Sequence, residues 1–127
     1  MIKKLIEEIL EKEIKEMLGG EPKEITEKPS CLIGQKVIVR CRDAGVHYGT
    51  LVSYDGREAV LRDSRRMWYW TCKKGHTLSG CAIHGISDSS KIAGRLEAII
   101  LTETCEIIKC TKEASESIEG AEEHNAT

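Results

Sequence analysis

The sequence predicts a mainly β domain of the α+β kind: a small antiparallel sheet or partly open barrel, with an N-terminal amphipathic helix and a short C-terminal helix. Three observations carry this. From Lys36 to Arg42, Val37, Val39 and Cys41 alternate with Ile38, Arg40 and Arg42 in the manner of a strand. Two further strand-like runs meet at Asp55-Gly56, a dipeptide suited to a tight hairpin turn. Isoleucine and leucine crowd positions 96–101 and 103–110, the composition of strands. A chain of 127 residues has room for one such core and little more.

Taken in order, residues 1–20 place Ile2, Leu5, Ile6, Ile9, Leu10, Ile14, Met17 and Leu18 at helical spacing, with lysines and glutamates on the opposite face. Gly19-Gly20 and Pro22 end this helix, whose apolar stripe must pack on its own domain or on another subunit. Residues 21–34 are polar, hold both prolines and read as a linker. Residues 35–112 form the β-rich ligand-binding domain. In its first strand Val37, Val39 and Cys41 alternate with Ile38, Arg40 and Arg42, which gives a basic exposed side. Strands follow at 47–54 and 58–62, and the segment from Ser64 to Trp70 makes a fourth. Residues 77–86 suit a short helix or an ordered loop equally well. The runs at 96–101 and 103–110 read as one long strand or as two that pair. Residues 113–127 are a short helix and an acidic tail that frays beyond Gly120.

The net charge of -2 hides an uneven distribution. Residues 35–110 hold 12 Lys+Arg against 8 Asp+Glu, a net +4 that leaves -6 to the flanks. A field that weak argues against long DNA, which demands many phosphate contacts at once. A small anion needs only a local cluster. The first residues interleave acids with apolar side chains and lack the continuous apolar run of a secretion signal. A cytoplasmic protein with six reduced thiols is expected. No run approaches the ~20 apolar residues that cross a bilayer, so membrane partners are not expected.

Ser64-Arg65-Arg66-Met67-Trp68-Tyr69-Trp70 gathers two arginines and three of the five aromatic residues of a chain without phenylalanine. Strand alternation puts Arg66, Trp68 and Trp70 on one side and Arg65, Met67 and Tyr69 on the other. A face both cationic and aromatic suits a phosphate and a flat base together, since guanidinium pairs with phosphate and indole stacks. Arg65 and Arg66, with Arg40 or Arg42, are expected to hold phosphates. Trp68 or Trp70 is expected to stack on a base, and His47 with Thr77 or Ser79 to contact ribose or phosphate. Against this stands the ordinary use of tryptophan as core filler, which accounts less well for the adjacent arginines.

Cys72, His76, Cys81 and His84 have the residue types of a zinc site, but their C-x3-H-x4-C-x2-H spacing contains no short C-x2-C pair, and they read better as fillers and a bordering histidine. No Walker loop, dinucleotide fingerprint or H-E-x-x-H motif is present. Asp43 and Asp63, each beside an arginine, suit ion pairs better than general-base work. No enzymatic activity and no cofactor are expected.

Ala44-Gly45-Val46-His47, Gly49, Leu51, Gly56, Val60-Leu61, the Arg65–Trp70 run, Leu78, Gly85, Glu106-Ile107-Ile108 and Cys110-Thr111 together resemble a family of small bacteriophage-encoded proteins. That family resembles in turn the anti-defence sponges that counter Thoeris immunity. The resemblance covers roughly residues 36–112, and Arg-Arg-x-Trp-x-Trp is its most specific part. The chain departs from it at Thr71–Gly75, where relatives carry a small turn. The resemblance implies a non-catalytic homo-oligomer with pockets between subunits. It would sequester host immune nucleotide second messengers, cyclic ADP-ribose derivatives or cyclic oligonucleotides, in the bacterial cytoplasm. The other reading of the same face is a single-stranded nucleic-acid or protein-interaction module.

Overall fold

The computed structural model describes residues 29–124. Of these, residues 32–124 belong to one compact unit. The expected helix over residues 1–20 and the linker up to residue 28 lie outside the described residues. Strands β1 (Lys36–Cys41), β2 (Val46–Asp55), β3 (Glu58–Tyr69), β4 (Lys91–Leu101) and β5 (Thr104–Lys109) form an open antiparallel sheet in the order β4-β3-β2-β1-β5. Helix α1 (Leu78–His84) connects β3 to β4, and α2 (Lys112–Glu119) follows β5.

β1 is buried on both faces over Val37–Val39, which corrects the expected basic side of that strand, where only Arg40 stays exposed. Ile38 is as fully buried as Val37 and Val39. It joins Tyr48, Met67 and Ile92 in a core that Leu78, Cys81 and Ala82 of α1 and Ala114 and Ile118 of α2 cover. On the other face Val37, Val39, Cys41, Leu51, Ala59, Leu61 and Leu101 form a second core. No described α-helix contributes to it; Leu32, Tyr54, Ile99 and Ile107 pack against it. β4 and β5 lie at opposite edges, yet only Thr102-Glu103 separate them in sequence. The edges therefore converge at that end, where Thr104 N–H donates to the Arg57 carbonyl (3.0 Å) and Arg42 N–H to the Glu103 carbonyl (3.0 Å). The runs at 96–101 and 103–110 are thus two strands that pair with β3 and β1, not with one another.

The segments expected as a third and a fourth strand are one twelve-residue strand, β3. Its continuity depends on a bulge: Thr50 pairs with Arg62 but Tyr48 pairs with Arg65, so β3 carries one residue more than β2. Asp63 takes the left-handed conformation there (φ 51°). Neither it nor Asp43 forms an ion pair among the described residues. Opposite the bulge a Cβ on Gly49 would lie 3.0 Å from the Arg62 carbonyl oxygen and 3.2 Å from the Ser64 Cα. Both are backbone, so relief requires moving β3. Gly49→Ala is expected to destabilise the protein by about 1–3 kcal/mol, read as a lowered midpoint in urea unfolding at unchanged slope.

α2 belongs to the packed domain. The Thr111 hydroxyl accepts from the Ala114 N–H (3.1 Å) as an N-cap and donates to the Ile83 carbonyl (2.6 Å), tying the helix to the end of α1. Nor does the chain fray at Gly120. His124 N–H donates to the Ile92 carbonyl (2.8 Å), and Glu123 makes a parallel bridge with Ile92. The acidic composition suggested a solvated tail; the backbone bonds that hold it come from β4.

Candidate functional site

β3 sends its two adjacent arginines to opposite faces. Arg65 pairs with Tyr48 in the register and shares the helix-covered face; Arg66 pairs with His47 on the other. Arg65 is 3% exposed. Its Nε donates to the Ala93 carbonyl (2.8 Å), and one terminal nitrogen donates to the carbonyls of Ile118 (2.9 Å), Ala121 (2.7 Å) and Glu119 (3.3 Å). The last carbonyls of a helix lack intrahelical partners and form the negative end of its dipole. The guanidinium satisfies them, helped by Arg95, which donates to the Glu119 carbonyl (2.8 Å). Arg65 is therefore a structural fastener, a correction to its expected role on phosphate.

Arg66 is exposed and spends one donor on the Ala44 carbonyl (2.9 Å). Its other donors have no partner among the described residues. The same carbonyl lies 2.8 Å from His47 Nε2. A carbonyl only accepts, so Nε2 carries the proton and Nδ1, buried and without a partner, is the bare lone pair. His47 is 1% exposed and cannot reach ribose or phosphate at the surface, another correction. Together Arg66 and His47 pin the turn between β1 and β2, where Arg42 is exposed.

Burial pushes the His47 pKa below its usual 6.5; the Ala44 carbonyl opposes this and the Arg66 charge adds to it. As pH falls, the unfolded chain then takes up the proton before the folded one. This contribution to stability is complete above pH 6.5 and lost below it, down through the folded value. Urea midpoints measured between about pH 7.5 and about pH 5 are expected to fall on the acid side, and His47→Gln to flatten that slope.

From Arg65 onward, alternation along β3 holds through Trp68 and then inverts. Met67 pairs with Ile92 and Tyr69 with Lys91, so β3 carries an extra residue at Trp68. Trp68 and Tyr69 are both exposed, at 45% and 47%, while Trp70 packs against the helix-side core. Trp70 is thus half-buried against the helix-side core, in place of its expected position beside Arg66. The Lys91 ammonium stands 5.1 Å from the Trp68 ring centroid and 5.8 Å from that of Tyr69. The His124 ring lies 4.9 Å from Trp68, tilted by 53°. Tyr69, Lys91 and His124 were missed by sequence reasoning. The pairing of Lys91 with Tyr69 joins positions far apart in the chain, and no local pattern signals it.

The other expected contacts do not converge here. Arg40 pairs with Glu106 (3.2 Å) across β1 and β5, on the face of Val46 and the helices. Thr77 and Ser79 are exposed at the start of α1, on that same far side. Cys72 donates its thiol to the Thr77 carbonyl (2.9 Å), and burial and the neighbouring Cys72 raise the Cys81 pKa. His76 is exposed, and among the described residues no three His, Cys, Asp or Glu side chains gather as a metal site. A cleft of about 730 Å³ beside α2 presents Lys36, Lys109 and Lys112, but Glu116 and Glu119 line it too, and Lys36 is held by Thr50 (2.9 Å) and Glu119 (3.9 Å).

A small, mainly β domain with a cationic and aromatic surface, Arg66 and Lys91 around Trp68 and Tyr69, is the class that fold and face define. Within that class the chain belongs to the family described as a domain of unknown function (DUF6948), whose model matches residues 34–118. The match runs to Ile118, which agrees with α2 being part of the packed domain. No curated protein matches the chain.

Proposed function

We propose that this protein is a non-catalytic binder of nucleotides that captures a cyclic nucleotide second messenger and holds it intact. The observation that carries the reading is Trp68: a large ring left 45% exposed, with the Lys91 ammonium 5.1 Å away and Arg66 next but one along β3. A bare indole costs water-exposed apolar area, and its cationic surroundings suit an anion with a flat base. Trp68 stacks on the base, Tyr69 extends the platform, and Arg66 and Lys91 hold phosphate, with Arg42 at the adjacent turn. The likeness of the Arg65–Trp70 run to phage anti-defence sponges supports a host immune messenger of the cyclic ADP-ribose or cyclic oligonucleotide class, captured in the bacterial cytoplasm by a homo-oligomer. A sponge removes one molecule per site and works by affinity, so no general base is required.

Titration calorimetry of the full chain with cyclic ADP-ribose and with cyclic dinucleotides tests this, followed by heating of the complex and identification of the nucleotide released. Binding of one of these, recovered unaltered, is expected. Tight binding to single-stranded oligonucleotides alone, with affinity falling steeply as salt rises, would instead make the face a single-strand platform.

A further inference from the structure

His47 carries a cost that its place in the core does not require. It pairs with Val39 on one side and Arg66 on the other and is 1% exposed, and its Nδ1 has no hydrogen-bond partner. A buried polar atom left dry costs free energy that an apolar side chain in the same place would avoid. The ring has one polar tie in return: Nε2–H donates to the Ala44 carbonyl (2.8 Å), at the tip of the turn between β1 and β2. The backbone bonds of that turn lie elsewhere, from Cys41 N–H to the Gly45 carbonyl (2.8 Å) and from Arg42 N–H to the Glu103 carbonyl (3.0 Å). Among the described residues the Ala44 carbonyl is held by two side chains alone, His47 and Arg66, whose Nη1 donates to the same oxygen (2.9 Å).

The two donors are not equivalent. The imidazole is short, rigid and enclosed, whereas the guanidinium stands at the end of a long exposed side chain with much rotamer freedom to lose. The buried ring therefore sets where the carbonyl points, and the carbonyl sets where the guanidinium is held. Tied by Nη1, Arg66 keeps Nε and Nη2 without partners among the described residues. These two nitrogens form one planar edge, able to grip two phosphate oxygens at once. We infer that His47 is a positioning residue: through the Ala44 carbonyl it holds the Nε–Nη2 edge of Arg66 ready for the phosphate of a nucleotide stacked on Trp68, and it touches no ligand itself. Ordering the arginine before the ligand arrives lowers the entropy that binding must lose. This role rests on the functional reading above, and one arm of its test needs no ligand.

Nitrogen-15 relaxation of the Arg66 Nε–H group in the full chain without ligand reads the order of the guanidinium. Wild type and His47→Gln, whose amide can still donate to Ala44, are expected to be ordered there. His47→Leu and His47→Met, which fill the site without a donor, are expected to free the guanidinium while the folded spectrum persists. Calorimetry with cyclic ADP-ribose and with cyclic dinucleotides then reads affinity. The leucine and methionine variants are expected to bind about 2- to 10-fold more weakly, the size of one lost hydrogen bond, and the glutamine variant to bind as wild type does. In an Arg66→Ala background the same His47 substitutions are expected to cost nothing further, because a positioning residue has then nothing left to position. An Arg66 as ordered in the leucine and methionine variants as in wild type overturns the inference, and so does a loss of affinity that persists without the arginine. Binding of none of these nucleotides to wild type overturns the functional reading instead, and the relaxation measurement still decides for or against His47.

Discussion

Arg65→Ala is expected to cost about 3–5 kcal/mol of folding stability, whereas Arg66→Ala, one residue away, is expected to cost no more than about 0.5 kcal/mol. Arg65 is 3% exposed and donates to four backbone carbonyls, three of them at the end of α2 and just beyond it. Truncation removes charge-assisted bonds and leaves buried carbonyls without donors, a penalty of about 1–3 kcal/mol for each group that stays dry. Arg65→Lys is expected to recover less than half the loss, because one ammonium cannot reach both the Ala93 carbonyl on β4 and the carbonyls that follow Ile118. Urea unfolding measures all three variants. Hydrogen exchange is expected to show the loss first in residues 118–124, where Ala121 depends on Arg65 and His124 on the adjacent Ile92.

The largest expected effect on binding is at Trp68. Removing an indole that stacks on a base costs about 1–3 kcal/mol, so Trp68→Ala is expected to weaken nucleotide affinity by about 5- to 150-fold. Arg66→Ala is expected to weaken it by a similar factor through a lost charge-assisted bond. Neither should alter the melting temperature by more than a few degrees, because Trp68 and Arg66 are both exposed. Trp70→Ala should do the reverse, lowering stability while leaving affinity within about twofold, since Trp70 packs against the helix-side core. Calorimetry beside thermal melts separates the two outcomes. Equal affinity in wild type and the Trp68 variant would remove the face from consideration.

These contrasts trace where sequence patterns carry information. Alternation separated Arg65 and Met67 from Arg66 and Trp68, and that division is the one observed on β3. It did not say which face was core. Arg65 looked like a second phosphate ligand because its four carbonyl partners lie 28 to 56 residues away in the chain. Tyr69 and Trp70 exchanged faces because β3 carries an extra residue at Trp68, a slip that exists only relative to β4. His47 and Arg40 were drawn to the face by residue type. Their burial and pairing depend on the turn at Ala44 and on β5.

The sequence by itself determined the mainly β class, the hairpin at Asp55-Gly56, the short C-terminal helix and the presence of Arg66 and Trp68 on one side of a strand. All of these rest on interactions within a few residues, which composition and spacing encode directly. Only the tertiary structure decided that β4 and β5 part to opposite edges, that both faces of β1 are buried, and that Arg65 fastens α2. It also gathered Lys91, Tyr69 and His124 around Trp68. Each of these is settled by which distant backbone groups need a partner and which apolar surfaces must leave water, and those demands arise only once the sheet has formed.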